Sequence, residues 1–408
     1  MTTLFTNIQT LVGITSTSKL LKGEEMSKVQ SIDSAFLLID NGKIIDFGPQ
    51  TDAPLRADKS IDAGGGLVLP TWCDSHTHIV FGGSREQEYL MRLQGKSYQE
   101  IASAGGGILN SAKKLRDTDE ETLFQSALER LNEVISYGTG AIEIKSGYGL
   151  SRESELKMLR VISRLKDVSS AEIKSSFLGA HAIPTDYADR RQDYIQMVIG
   201  MLPEIVDDGL ADYMDVFCDQ GFFTVDETDQ LLQAAAKYGL KPKIHANELA
   251  VSGGVQVGIK NHAVSVDHLE AITQEEIDAL LASNTIPTVL PFVSFFLNIH
   301  YAPARKMIDQ GLGIAIASDF NPGSSPCGNI PLLMAFACNG MRLLPEEAFN
   351  AVTINGACAI ESQHHLGSIE RGKKANFIIT HPIPNLEFMV YRFGANHIKD
   401  VFLNGKLQ

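Results

Sequence analysis

Histidine carries the chemistry that this sequence offers. The chain has eleven histidines, and at four places they sit at or just past the end of a short apolar run: His76 with His78, then His181, His245 and His268. In His76-Thr77-His78, alternate residues of an extended segment face the same side, so both imidazoles can reach one metal ion. A pair spaced this way is more often two solvated loop histidines than a site. Here the context is richer, because Asp74 precedes the pair, an apolar run holding Pro70 leads into it, and His245 and Asp319 stand at other run ends as further ligands. Three imidazoles and a carboxylate suit Zn²⁺ and also accept Fe²⁺ or another borderline cation. Asp319, in Ala317-Ser318-Asp319-Phe320, has a blander alternative as the cap of a following helix. His268, in Val266-Asp267-His268-Leu269-Glu270, reads either as a satisfied interior histidine or as a proton-shuttling group beside the ligands.

Groups so far apart in sequence need a scaffold that gathers strand ends. Eight apolar runs can be marked, beginning at Val68, Ala141, Ser175, Tyr213, Pro242, Ala263, Ile286 and Gly313. Most are separated by a stretch of helical period. After Thr118, for instance, Leu123, Leu128, Leu131, Val134 and Ile135 share a face, and Gly138 closes the helix. Thr224 with Glu227, and Thr273 with Glu276, each fit a capping box. Eight βα units in a row predict an α/β fold, a closed (β/α)₈ barrel of the TIM type over residues 67–366, with its site at the C-terminal face of the strands. The two ends of the chain share another texture. Asn41-Gly42 and Asn404-Gly405 lie between or beside short apolar runs, which is a strong hairpin signal. Neither end is long enough for a core of its own, so residues 1–66 and 367–408 are expected to pair into one small composite β-sandwich.

Composition narrows the partners. The chain has 408 residues, 44% hydrophobic and 21% charged, with a formal net charge of −14. That charge and the lack of any Lys/Arg run argue against nucleic acid and against an anionic membrane surface. No apolar run approaches the roughly 20 residues needed to cross a bilayer. Five scattered cysteines without a CxxC pair read as reduced thiols. The amino terminus has no basic region followed by an apolar one, so a cytoplasmic protein is expected.

Asp74-Ser-His-Thr-His, a His in the fifth run, a His in the sixth and an Asp ending the eighth resemble the signature of the amidohydrolase superfamily. The fourth run, Tyr213-Met-Asp-Val-Phe-Cys, offers no lysine to bridge two metals, which points to a mononuclear site. Within the superfamily, Gly82-Gly-Ser-Arg-Glu, Ile144-Lys-Ser-Gly-Tyr-Gly, Phe177-Leu-Gly-Ala-His-Ala-Ile-Pro, His245-Ala-Asn-Glu, Asp267-His-Leu-Glu and Asp319-Phe-Asn-Pro-Gly-Ser are similar to the imidazolonepropionase family. The similarity runs through the barrel and both end segments in the same order.

The resemblance implies hydrolysis of the ring amide of 4-imidazolone-5-propanoate to N-formimino-L-glutamate in histidine degradation, with one metal, Zn²⁺ or Fe²⁺/Fe³⁺, on His76, His78, His245 and Asp319. It also implies a homodimer. Such a substrate carries a propionate, which the Arg85 guanidinium suits through paired hydrogen bonds; without the resemblance, Arg85 reads as the partner of Glu86 or Glu88. Asp319 is then the expected proton acceptor, His268 the group that orients the attacking oxygen, and Glu248 the contact to ring nitrogens and the proton donor to the leaving nitrogen. Tyr148 and His181 read as substrate contacts. The Asn321 side chain and the Gly323 and Ser324 loop amides read as contacts to the propionate or the new carboxylate. Lys145 receives no role. Two other readings compete: an aminohydrolase of nucleobases, which lack a carboxylate for Arg85, and a non-catalytic barrel, which would not be expected to keep a whole ligand set.

Overall fold

The computed structural model describes residues 1–96, 100 and 106–408. Eight parallel strands follow one another around a barrel: β6 (Trp72–Thr77), β7 (Thr139–Lys145), β8 (Glu172–Ala180), β9 (Tyr213–Cys218), β10 (Lys241–Ala246), β11 (Ser265–His268), β12 (Ile286–Val289) and β13 (Ala315–Ile316). Nearly every residue of these strands is buried, as expected when helices cover the outside and side chains fill the inside. β13 is only two residues long and forms no ladder with β6. Single bonds bring the ends together instead. The Asp319 amide donates to the His76 carbonyl and the His78 amide to the Phe320 carbonyl, both at 2.9 Å. The Ser318 amide and hydroxyl donate to Asp74 at 2.9 and 2.5 Å. The run ending in Asp319 is thus tied directly to the strand carrying His76.

Several helices start where the sequence places capping side chains. Thr224 with Glu227, and Thr273 with Glu276, make complete reciprocal capping boxes, each stabilising its helix by about 1 kcal/mol. The helix read after Thr118 spans Glu120–Ser136, and its cap is Asp119, whose side chain accepts from the Thr122 amide. Thr118 ends the preceding helix, Ile108–Asp117. Phe124 is buried on this helix while Leu128 is only partly so, because the inward face lies slightly off the one read from leucines alone.

The chain ends form one eight-stranded sheet beside the barrel. Its strands are β1 (Thr2–Ile14), β2 (Gln30–Asp40), β3 (Lys43–Pro49), β4 (Lys59–Asp62), β5 (Leu67–Pro70), β14 (Phe377–Thr380), β15 (Ile398–Leu403) and β16 (Lys406–Leu407). The order is β16-β15-β14-β5-β1-β2-β3, with β4 also on β1. Asn41-Gly42 (φ 47° and 75°) joins β2 to β3, and Asn404-Gly405 (φ 51° and 73°) joins β15 to β16, both in the left-handed region these residues tolerate. Phe5, Phe377 and Phe402 interlock at 4.9–5.1 Å, joining the two ends of the chain through one core. The run beginning at Val68 differs from the sequence reading. It is two strands in two sheets: β5 pairs with β1 and β14, and after Thr71 the chain enters the barrel as β6. Pro70 lacks an amide to continue a ladder, so the pairing changes there.

Candidate active site

At the C-terminal mouth of the barrel, imidazoles from three strands meet. The Nε2 atoms of His76 and His78 are 3.3 Å apart, and those of His78 and His245 3.4 Å. Asp319 brings its Oδ1 to 3.5 Å from His76 Nε2 and 3.4 Å from His78 Nε2. That oxygen is buried and accepts no hydrogen bond among the described residues. His268 joins the group, with its ring 5.2 Å from His245 and 5.6 Å from His76. Two overlapping triads, His76/His78/Asp319 and His76/His245/His268, each bring their ligand atoms within 4.8 Å.

The protonation of these rings follows from their surroundings. His76 Nδ1 lies 2.6 Å from Asp267 Oδ2, and His245 Nδ1 lies 3.1 Å from Asp215 Oδ1. Carboxylates accept, so each Nδ1 carries the proton and each Nε2 presents a lone pair to the common centre. Burial pushes the His76, His78 and His268 imidazoles well below their ordinary 6.5, so they stay neutral. Converging lone pairs and an unsatisfied carboxylate oxygen in a dry pocket are what a divalent cation requires. These residues therefore fit a metal.

Beneath the imidazoles lies a layer of charge that the sequence did not reveal. Lys145 Nζ sits 2.5 Å from Glu143 Oε1, 2.7 Å from Asp215 Oδ2 and 3.7 Å from Asp267 Oδ2, with all four side chains fully buried. Lys243 pairs with the other Glu143 oxygen and donates to the Ser75 carbonyl at 3.2 Å. Burial opposes the charge on Asp215, yet His245 and Lys145 hold its carboxyl well below the usual range. The available signal was alternation: Glu143 and Lys145 on β7, and Lys243 and His245 on β10, put polar side chains two apart on strands otherwise read as apolar.

Several backbone conformations here are uncommon. His268 (φ 85°), Leu269 (71°), Asn247 (57°) and Asp319 (50°) lie in the left-handed region, at a cost on the order of 1–3 kcal/mol each. Surrounding bonds hold them there. Leu269 and Ala271 amides donate to Ala246 and Asn247 carbonyls at 3.1 and 2.8 Å, and the Asn247 amide group donates to both Glu276 oxygens at 2.9 Å.

Above the imidazoles opens a cavity of about 620 Å³, lined among others by Arg85, Tyr148, His181, Glu248, Asn321 and Ser324. His181 stacks on His78 at 5.4 Å, and its Nδ1 bonds the Gly147 carbonyl at 3.0 Å. Tyr148 packs 5.4 Å from the His181 ring. Glu248, on the loop after β10, reaches within 3.8 Å of His268 Nδ1. Burial, reinforced by the Asp219 carboxylate, pushes the Glu248 carboxyl up to about 8. Asp219 also shapes that loop, accepting from the Leu249 and Ala250 amides at 2.9 and 3.2 Å. Burial likewise lifts Glu270, which lies 3.8 Å from the same His268 Nδ1.

At the mouth, Arg85 is paired with Glu88, its Nε at 2.8 Å and Nη2 at 2.7 Å from the same oxygen. Nη1 lies against Gly323, where an added Cβ would come within 2.1 Å, so a larger residue there would push the guanidinium aside. Glu88 also accepts from the Gly107 amide and the Asn110 side chain, both at 3.0 Å. The Asn321 loop is satisfied internally. Asn321 Oδ1 accepts from the Gly323 and Ser324 amides at 2.7 and 2.8 Å, and its Nδ2 donates to Asp319 Oδ2 at 2.8 Å. The amides read as facing substrate thus brace the loop, as short polar side chains in turns tend to do.

The barrel and a buried cluster of histidines and aspartate at its C-terminal mouth define an amidohydrolase, and residues 67–407 match the model of the amidohydrolase family. Imidazolonepropionases of Christiangramia forsetii and Flavobacterium johnsoniae are 51% and 52% identical to the chain, over 100% of both lengths. That of Caldanaerobacter subterraneus subsp. tengcongensis is 42% identical over 94% of the chain and 92% of its own length. The chain belongs to the imidazolonepropionase family. Solved structures with the same fold include a zinc-complexed atrazine chlorohydrolase of Arthrobacter aurescens (TM-score 0.77, 15% identity, 99% and 94% covered). Another is a guanine deaminase of C. acetobutylicum with bound guanine (TM-score 0.73, 16% identity, 100% of both chains).

Proposed function

We propose that the chain hydrolyses the ring amide of 4-imidazolone-5-propanoate to N-formimino-L-glutamate, a step of histidine degradation. The observation that carries this reading is one cavity with converging imidazole lone pairs at its floor and a buried-edge guanidinium, Arg85, at its mouth. His76, His78, His245 and Asp319 would hold the metal, zinc or iron. Such an ion supplies a water acidified toward neutrality and a Lewis acid for the ring carbonyl.

The remaining work falls to side chains. Arg85 binds the propionate through the Nη1 edge that Glu88 leaves free. Tyr148 and His181 form the wall that orients the ring. Asp319 takes the proton of the attacking water, and Asn321 holds the carboxylate in place for it. His268 steadies the oxygen that gains charge as the carbonyl becomes tetrahedral. Glu248, protonated near neutral pH, donates to the ring nitrogen as the C–N bond breaks. Gly323 and Ser324 close the mouth, with Ser324 placed to meet the carboxylate formed. Water is consumed, one C–N bond is cleaved, and the oxygen ends in a carboxylate.

We place the enzyme in the cytoplasm, supported by its sparse, scattered cysteines, and infer a homodimer from family resemblance, which sedimentation would report. The test of function is loss of imidazolone absorbance with freshly made substrate, before and after chelation, with the product identified as N-formimino-L-glutamate. Metal-dependent turnover supports the reading. No turnover by folded, metal-loaded protein sinks the substrate, and conversion of guanine or cytosine instead would favour a nucleobase aminohydrolase.

A further inference from the structure

Lys145 is a fully buried cation at the molecule's centre, and no step above uses it. Its ammonium lies where three carboxylates from three strands meet: Glu143 on β7, Asp215 on β9 and Asp267 on β11. Two of those carboxylates also face imidazoles of the cluster. Asp215 divides its oxygens, Oδ2 to Lys145 at 2.7 Å and Oδ1 to His245 Nδ1 at 3.1 Å. Asp267 directs Oδ2 to His76 Nδ1 at 2.6 Å, with Lys145 Nζ 3.7 Å from the same oxygen. The strands set this crossing, since His245 is in register with Asp267, and Lys243 with Asp215. Lys243, equally buried, pairs with Glu143, donates to the Ser75 carbonyl and lies over the Tyr213 ring, and among the described residues it makes no hydrogen bond to Asp215 or Asp267.

We propose that Lys145 is a positioning residue for the metal centre: it clamps Asp215 and Asp267 so that His245 and His76 carry their protons on Nδ1 and aim Nε2 at the ligand position before any metal arrives. The physical reason is orientation. Asp215, held at Oδ2 by the ammonium, cannot turn Oδ1 away from His245, while at Asp267 the ammonium lies 3.7 Å from the oxygen that faces His76 and holds it there by charge. Neither imidazole can flip without leaving its carboxylate unpaired in a dry interior. Free neutral histidine favours the opposite tautomer, with the proton on Nε2, where it would block a metal. Removing the ammonium frees both carboxylates to rotate at once, so one side chain governs two ligands from two strands.

The inference rests on the metal reading of the site but not on any substrate, so its tests use zinc and no turnover. The first uses the unaltered protein, freed of metal and labelled with ¹⁵N-histidine. Imidazole ¹⁵N resonances of His76 and His245, assigned by their loss in His76→Asn and His245→Asn, should report Nδ1–H at both. Nε2–H at either overturns the proposal. The second measures Zn²⁺ affinity by competition with a chromophoric chelator. Lys145→Met should bind zinc roughly 10- to 100-fold more weakly, the usual effect of removing a group that orients a ligand. Lys243→Met, which removes a buried ammonium of the same layer, should change affinity less than threefold. Equal weakening in the two variants reduces Lys145 to general charge balance and overturns the proposal. Should Lys145→Met fail to fold, the charge-balanced double variant Glu143→Gln/Lys145→Met carries the same expectation, and unchanged zinc affinity in it is decisive against. Absence of zinc binding by the unaltered protein would sink the metal reading as well; failure on the imidazolone substrate alone would leave this proposal standing.

Discussion

The floor and the mouth of the cavity are built on opposite principles. At the floor, the polar groups lie on or just beyond barrel strands and are buried, and most are held by a group from another strand, as His76 is by Asp267 and His245 by Asp215. At the mouth, Arg85 precedes a short exposed-faced helix, Glu86–Leu93, and its main restraint is Glu88 three residues on. Arg92, further along, rests on the Phe296 ring at 4.7 Å. Strands separated by a fixed spacing leave little room for a side chain to be misplaced, whereas a loop and a single helical turn adapt. Changes at the floor should therefore strike metal binding and kcat, and changes at the mouth should strike KM.

The largest effect should come from the floor itself. Chelation should abolish turnover and added zinc restore it, and Asp319→Ala should lower kcat by roughly 10²–10⁴-fold even where some metal is retained. Metal content measured beside turnover checks this; a mainly KM effect for Asp319→Ala would break the division. At the mouth, Arg85→Ala should raise KM by roughly 10- to 100-fold, the size expected for a charge-assisted hydrogen bond of about 1.5–3 kcal/mol, with kcat changed far less. An imidazolone lacking the propionate should then be handled alike by both forms, and a persisting difference would remove Arg85 from carboxylate binding.

A smaller effect separates the two regions by pH. Glu248, 12% exposed and held near 8 instead of 4.5, is a neutral acid in the metal-free protein at pH 7. A carboxyl raised in this way favours the fold fully below about pH 4.5 and loses that contribution as pH rises through about 8. Thermal unfolding of chelated protein should fall from pH 6 to pH 9, and Glu248→Gln should flatten the fall. An identical slope in both proteins would mean that Glu248 is ionised throughout. The smallest expected effect lies outside both regions. Thr224→Ala removes a capping hydroxyl and should cost about 1 kcal/mol in unfolding free energy, with zinc affinity and KM unchanged.

The barrel was legible because its signals are local. Apolar runs of strand length, helical periods between them and two capping boxes each depend on a few consecutive residues. The hairpins at Asn41-Gly42 and Asn404-Gly405 were legible for the same reason. The split at Pro70–Thr71 was not, since an apolar run does not say which sheet it joins. His76 and His78 stood out through their alternation, and His245 and Asp319 through their place at run ends. Asp215, Asp267 and Glu143 did not, because a carboxylate inside an apolar strand reads as an oddity until its partner on a neighbouring strand is known. Lys145 had no role for the same reason: both carboxylates it binds beyond its own strand lie at least 70 residues away in the chain.

By itself the sequence determined which groups this protein possesses and the order of the elements that carry them, since side-chain chemistry and local periodicity survive without a third dimension. Only the tertiary structure decided which imidazole faces which carboxylate, how Arg85 is shared between Glu88 and the cavity, and that the Asn321 loop turns its amides inward. Those are choices of direction at distances of about 3 Å, and they are made by strand register and barrel closure, which bring together residues that no spacing along the chain connects.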